Sequence, residues 1–224
     1  MENQLIIVYH KEMGLLNLFF PKQCISCHRE GNSLCEDCIA LVSLNQTVSP
    51  LPANSALSGL FCATSFKDPN VKYFIHSLKY PPFLRDLAKP LAFLIVSHFA
   101  ILNNTLFTPD MIIPVPLHTR RLHWRGFNHA EEIAKHLSFA WEVPLESKAL
   151  QRIKYTAPQV ELGKEKRHAN VKGMFATPQP SFVQGKTIFL IDDVYTTGAT
   201  MQECASVLKK AGAAKVFGAV VARD

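Results

Sequence analysis

The stretch IFLIDDVYTTGAT, residues 188–200, decides the fold of this chain. Four apolar residues run into two aspartates. A short loop then opens a segment, 199–211, that carries Met201, Cys204, Ala205 and Leu208 on one helical face. An unbroken apolar run reads as a strand buried on both faces, as in a parallel sheet. In an open parallel sheet, ligands sit beyond the carboxyl ends of the strands. There Asp192 and Asp193 can accept hydrogen bonds from two sugar hydroxyls, while Thr196, Thr197 and Thr200 add hydroxyl donors. Gly198 lets the backbone come close to a ligand, and Ala199 starts a helix whose free N–H groups attract phosphate. The expected ligand is a phosphorylated ribose held at both ends. Five fixed positions in DDxxTTG arise by chance on the order of once in a million windows. The bland alternative is a helix cap with two solvated carboxylates. The chain has neither GxxxxGK nor GxGxxG, which excludes those phosphate loops.

The segments around this strand alternate in period. Residues 59–66 read as a strand, 71–78 and 83–102 as helices, and 111–117 as a buried strand entering a proline-bounded loop. Residues 129–141 place Ala130, Ile133, Ala134 and Leu137 at helical spacing. Residues 151–173 are basic and polar and are expected to be mobile. Residues 186–191 and 215–222 are strands, and Gly212 is the C-cap of the helix between them. The alternation predicts an α/β fold with a mostly parallel sheet flanked by helices.

Cys24-x-x-Cys27 and Cys35-x-x-Cys38 form two thiolate pairs separated by seven residues. Two such turns complete a tetrahedron of soft ligands, which suits a structural Zn²⁺ with no open position. His28 is a badly placed substitute beside Cys27. Disulfides are the alternative, and they belong to secreted chains. The N-terminus shows no basic segment before a long apolar run, so no secretory signal is read and the cytoplasm is expected. Cys62 and Cys204 lie in apolar segments and read as small core residues. The organisation expected is a variable extension at 1–12, a four-cysteine zinc-binding module at 13–44, a polar linker at 45–58 containing Pro50 and Pro52, and one large domain at 59–224.

Composition sets the outer limits. With 224 residues, 48% hydrophobic and 19% charged, the chain is not disordered, and its 10 Gly and 14 Pro show no collagen period. The longest apolar stretch, 90–102, contains His98 and falls short of the roughly 20 residues a membrane span needs. The net charge of +6 is one-sided: residues 1–110 carry 8 Lys/Arg against 8 Asp/Glu, and residues 111–224 carry 16 against 10. A basic half points to a polyanionic partner. Within it, residues 120–172 hold 11 basic against 6 acidic side chains. Arg120, Arg121 and Arg125 suit pyrophosphate, and Trp124 and Phe127 among them suit stacking on exposed bases. A solvated basic face is the alternative. Asn128 can cap the helix that follows, and Lys79 in SLKYPP is a further phosphate contact. His76, His98, His118, His123 and His129 show no metal spacing and read as packing or surface.

The loop at 192–200 resembles the signature loop of type I phosphoribosyltransferases. That resemblance implies binding of phosphoribosyl pyrophosphate (PRPP) with Mg²⁺. Asp192 and Asp193 would hold the ribose hydroxyls, and Thr196, Thr197, Gly198, Ala199 and Thr200 the 5′-phosphate. Hypoxanthine-guanine salvage enzymes place a carboxylate where Thr196 stands, which argues against that substrate class. PVPLHTRRLHWRGFNHAEEIA (114–134), YTAPQVELGKEKRHANVKGMF (155–175) and the LFFP stretch (18–21) before the cysteines together resemble the ComF/GntX family. This implies a type I phosphoribosyltransferase-like domain behind an N-terminal zinc ribbon. Lys164, Lys166, Arg167 and Asn170 would lie in a mobile hood over the sugar, and Thr156 and Gln159 share that motif without an assigned role. The resemblance also implies natural competence, with incoming single-stranded DNA and competence machinery proteins as partners. The alternative is an active phosphoribosyltransferase that releases pyrophosphate on transfer to an unknown acceptor. No general base is evident, so no catalytic residue is assigned.

Overall fold

A computed structural model of the chain describes residues 21–102, 109–154 and 171–224. They belong to two compact units, Met1–Leu41 and Val42–Asp224. Among the described residues, the first contains one short helix, α1 (Glu36–Ala40). No helix among the described residues is long and apolar enough to cross a membrane.

The second unit is built on a parallel sheet. Its strands are β1 (Gly59–Ser65), β2 (Met111–Pro114), β5 (Thr187–Tyr195) and β6 (Lys215–Arg223), in the order β1-β6-β5-β2. Every pairing in it is parallel. Helices α2 (Pro69–Lys79), α3 (Ala88–Ile101), α4 (Thr119–Arg125), α5 (His129–Trp141) and α6 (Ala199–Lys210) connect the strands. A separate antiparallel pair, β3 (Gln151–Arg152) and β4 (Phe175–Ala176), brackets the segment 155–170, which lies outside the described residues.

Strand alternation splits β5 between two cores. Ile188 and Leu190 join Met201, Cys204, Ala205 and Leu208 of α6. On the opposite face Phe189 meets Phe99 of α3 at 5.3 Å and Trp141 at 5.5 Å between ring centroids, and Phe61 stacks on Phe99 at 4.4 Å. A buried aromatic of this kind costs about 3–5 kcal/mol when truncated to alanine. Gly218 on β6 lets α6 settle onto the sheet, since a Cβ there would stand 2.6 Å from Met201 Sδ. Cys62 and Cys204 are fully buried, as small core residues are.

Three local features differ from expectation. Residues 83–102 do not form one helix: Phe83 adopts a left-handed φ of 56° after two prolines, and a 3₁₀ turn, Arg85–Leu87, precedes α3. The loop after β2 contains α4, which carries no buried residue and therefore no apolar period to detect. It is capped by His118, whose Nδ1 accepts from Arg120 N, and ended by Gly126 at φ 82°. Residues 45–58, read as a linker, fall inside the second unit and are bonded to its sheet and helices. Asn45 Nδ2 donates to the Cys62 carbonyl, Ser58 N to the Val216 carbonyl, and Gln202 of α6 bonds Ala56 N and Ser55 Oγ.

Candidate functional site

β2 leaves the sheet after Pro114, the partner of Ile191, whereas β5 continues to Tyr195. The next residues of β5, Asp192 and Asp193, therefore stand where a crevice opens at the carboxyl ends of the strands. Asp193 is only 2% exposed. Lys79, the last residue of α2, places its Nζ 2.6 Å from Asp193 Oδ2. His129, the first residue of α5, places Nε2 3.3 Å from Asp193 Oδ2 and 3.7 Å from Asp192 Oδ1. Asp192 Oδ1 also accepts from the Asp193 backbone N–H at 2.9 Å.

These neighbours separate the two carboxyls. Burial works to raise Asp193, but the Lys79 charge and its hydrogen bond, with the His129 ring on the same side, outweigh it and hold the group at about 2. Burial raises Asp192, the charge on Asp193 adds to that, and His129 opposes it. Burial lowers both Arg125 and Arg152, and Arg121 lies close enough to disfavour the charge on each. Arg125, Arg152 and the Lys79 ammonium thus act on the two carboxylates, with Arg121 near both guanidiniums, a field suited to a ligand with more negative charge than the aspartates supply.

The loop after β5 is shaped by Gly198. It adopts φ 76° as the N-cap of α6, and the Tyr195 ring fills the space that a Cβ would need. Gly198, as the N-cap residue, offers no side-chain cap to the helix. Its first-turn N–H groups face the crevice end of the sheet together with Thr197, whose Oγ1 accepts from Ala199 N at 3.4 Å, and half-buried Thr200. Thr196 is exposed.

The other residues divide as follows. Arg125 reaches His129, Arg121 is half-buried beside it, and Arg120 lies on the exposed side of α4. Trp124 is exposed and packs edge-on against Phe83 at 5.3 Å. Phe127 is buried, so it is not the exposed stacking residue that sequence suggested. Asn128 does cap α5: its Oδ1 accepts from Ala130 N, and its Nδ2 donates to the Val115 carbonyl. His129 was expected as packing or surface and instead lies against both aspartates, because α5 starts at the strand ends. Arg152 was missed as well, since an isolated arginine in a two-residue strand gives no local signal. Lys164, Lys166, Arg167 and Asn170, with Thr156 and Gln159, lie outside the described residues.

The phosphoribosyl transferase domain family matches residues 89–224 of this chain. A DNA utilization protein of Escherichia coli O157:H7 is 34% identical over 202 residues, covering 86% of this chain and 85% of that protein. Competence protein F of Haemophilus influenzae is 34% identical over 51% of this chain and 50% of its own length. The chain belongs to the ComF/GntX family. Competence protein ComFC of Bacillus subtilis, at 33% identity, is matched over 46% of this chain and 40% of its own length. Among solved structures, glutamine PRPP amidotransferase from B. subtilis aligns with a TM-score of 0.42 at 17% identity, over 61% of this chain and 26% of that one, and assigns no residue role.

The N-terminal unit of this ComF-family chain presents a second cluster. Cys24, Cys27, Cys35 and Cys38 offer sulfurs that all lie within 4.8 Å of one another. The first knuckle closes through His28 N donating to the Cys24 carbonyl and Cys24 N to the Arg29 carbonyl, both at 2.8 Å. Cys35 caps α1, and its N–H points at Cys24 Sγ at 3.5 Å. Burial works against ionising Cys24, but backbone N–H groups of Cys27, Cys35 and Ser26 bring it down to about 6. Cys38 behaves oppositely: Ser26 favours its thiolate, yet burial and the three other sulfurs push it up to about 12. Four crowded sulfurs do not ionise together unless a cation joins them. The soft donor set and its compactness fit a metal such as zinc.

Proposed function

We propose that the crevice at the end of β5 binds PRPP and that the protein acts in natural competence, handling incoming single-stranded DNA on the cytoplasmic side. The observation that carries the sugar phosphate is the Asp192–Asp193 pair at the sheet end, next to a Gly198 turn that leads into the N-terminus of α6. The carboxylates accept from the ribose hydroxyls. The N–H groups of α6, with Thr196, Thr197 and Thr200, take the 5′-phosphate. Lys79, Arg121 and Arg125 face the pyrophosphate, where planar guanidiniums pair with its oxygens.

Asp192 and Asp193 would be the residues to hold Mg²⁺ accompanying the pyrophosphate, and the ion would neutralise part of that group's charge. Lys79 already lies 2.6 Å from Asp193 Oδ2. Zn²⁺ on the four cysteines is structural, because four thiolates leave no open position.

For DNA, the supporting surface is α4. It exposes Trp124 and Arg120 beside Tyr80, on whose ring Arg125 lies at 5.9 Å and His76 stacks at 4.6 Å. Aromatic faces interleaved with cations suit unpaired bases and their phosphates. The names of the relatives, DNA utilization and competence proteins, support the same context.

Calorimetric titration of PRPP, with and without Mg²⁺, followed by single-stranded DNA, tests both parts. Saturable PRPP binding is expected, and no heat with PRPP removes the sugar-phosphate reading. Pyrophosphate release in the presence of candidate acceptors would instead make the protein an active phosphoribosyltransferase.

A further inference from the structure

Arg125 ends α4 and His129 begins α5, so the two sit on different helices joined by a tight turn. Gly126 supplies its left-handed residue, Phe127 is buried, and both ends of the Asn128 amide are engaged. The turn therefore fixes where the His129 ring lies, and the ring is buried. Arg125 Nη1 stands 2.5 Å from His129 Nδ1. A guanidinium has N–H donors and no acceptor. Nδ1 must then be the accepting nitrogen, and the ring proton belongs on Nε2. Nε2 is the atom that faces Asp193 Oδ2 and Asp192 Oδ1. The polarity runs in one direction: the guanidinium donates to Nδ1, and the Nε2 proton faces the carboxylates at 3.3 and 3.7 Å.

We propose that His129 is a positioning residue for the aspartate pair, with its tautomer set by Arg125. The proposal rests on the sugar-phosphate reading above and adds a residue and a direction to it. Lys79 and His129 converge on one oxygen of Asp193, from α2 and from α5. With an ammonium 2.6 Å and an imidazole nitrogen 3.3 Å from one oxygen, the carboxylate is held on that side. The pair is thus set in orientation before a sugar arrives, and less ordering remains to be done on binding. The same run of contacts links Arg125, on the side assigned to pyrophosphate, to the carboxylates assigned to ribose. In metal sites, partners of this kind fix both tautomer and ring orientation in the same way.

Nitrogen NMR of histidine-labelled protein reads the relay without any ligand. The His129 signal is assigned by its loss in His129→Gln. The expected spectrum has an unprotonated Nδ1 and a protonated Nε2, and Arg125→Met shifts the population towards protonated Nδ1. A protonated Nδ1 in the unaltered protein overturns the proposal.

PRPP titration reads the positioning. His129→Leu is expected to weaken binding about tenfold or more, the scale of one lost charge-assisted hydrogen bond. His129→Gln is expected to recover most of that loss, because its amide oxygen accepts from Arg125 and its amide N–H donates to the carboxylate. Wild-type affinity in the leucine variant, or a folded glutamine variant as weak as leucine, refutes the positioning role. If the unaltered protein takes no PRPP at all, the sugar-phosphate reading falls by itself, and the nitrogen spectrum still decides the relay.

Discussion

Lys79 at the end of α2 holds Asp193 of β5 through an ion pair of 2.6 Å between its Nζ and the carboxylate Oδ2. Lys79 precedes the residues matched by the phosphoribosyl transferase domain family, so the pair ties the upstream helix to the family's sheet. Removing the ammonium leaves a buried carboxylate without its main partner. Lys79→Met is expected to lower stability at pH 7 by about 3 kcal/mol, measured by urea unfolding. The sign with pH follows from the depressed carboxyl. Asp193 sits at about 2, below its usual unfolded value near 3.9, so the pair's contribution is complete above that value and is lost as pH falls through about 2. The difference between variant and parent should therefore narrow on acidification; a constant gap from pH 7 to 3 would count against the assignment.

Asp192→Asn combined with Asp193→Asn should abolish measurable PRPP binding while the far-ultraviolet circular dichroism stays native. Two lost hydrogen bonds to charged acceptors amount to roughly a hundredfold or more in affinity. Retained PRPP affinity in the folded double variant would remove the ribose assignment.

Gly198→Ala places a methyl group where the Tyr195 ring lies and asks an L-residue to hold φ 76°. The expected cost is about 2 kcal/mol or more from the backbone and the collision together. PRPP binding should fall further than stability does, because the N-terminus of α6 must shift. Calorimetry beside thermal unfolding separates the two effects.

Cys35→Ser takes one sulfur from the four-cysteine cluster. Bound zinc, by elemental analysis of the purified protein, should fall from about one per chain to near zero under mild chelation. Zinc content equal to the parent would refute a four-thiolate site.

Trp124→Ala removes an exposed ring from a helix with no buried residue, so the fold should not change. Loss of one stacked base predicts single-stranded DNA affinity lower by about 1–3 kcal/mol. Arg120→Ala with Arg121→Ala should instead flatten the salt dependence, since those side chains act on phosphates. Unaltered affinity and salt slope in both variants would place DNA elsewhere on the protein.

The parallel sheet, the helices at 129–141 and 199–210 and the two candidate clusters were legible in the sequence because each rests on a local pattern. The apolar run before Asp192 requires a doubly covered strand, the 3.6-residue period of α6 requires a buried face, and paired CxxC knuckles bring sulfurs together over a short span of chain. Helix α4 was not legible, because a helix with no buried residue leaves no period. Residues 45–58 have the composition of a linker, yet Asn45, Ser58 and the partners of Gln202 bind them to the sheet through contacts that composition does not encode.

From its order of residues alone, then, this chain determined an acidic strand end, a threonine-rich turn, a four-sulfur cluster and a basic second half. Tertiary structure decided which side chains meet the acids: Lys79 from α2 and His129 from α5 converge there, with Arg125 of α4 behind His129, while Phe127 turns inward and Trp124 outward. The reason is range. Periodicity is fixed by neighbours a few residues away, whereas the meeting of side chains from separate helices depends on how those helices pack against the end of one strand.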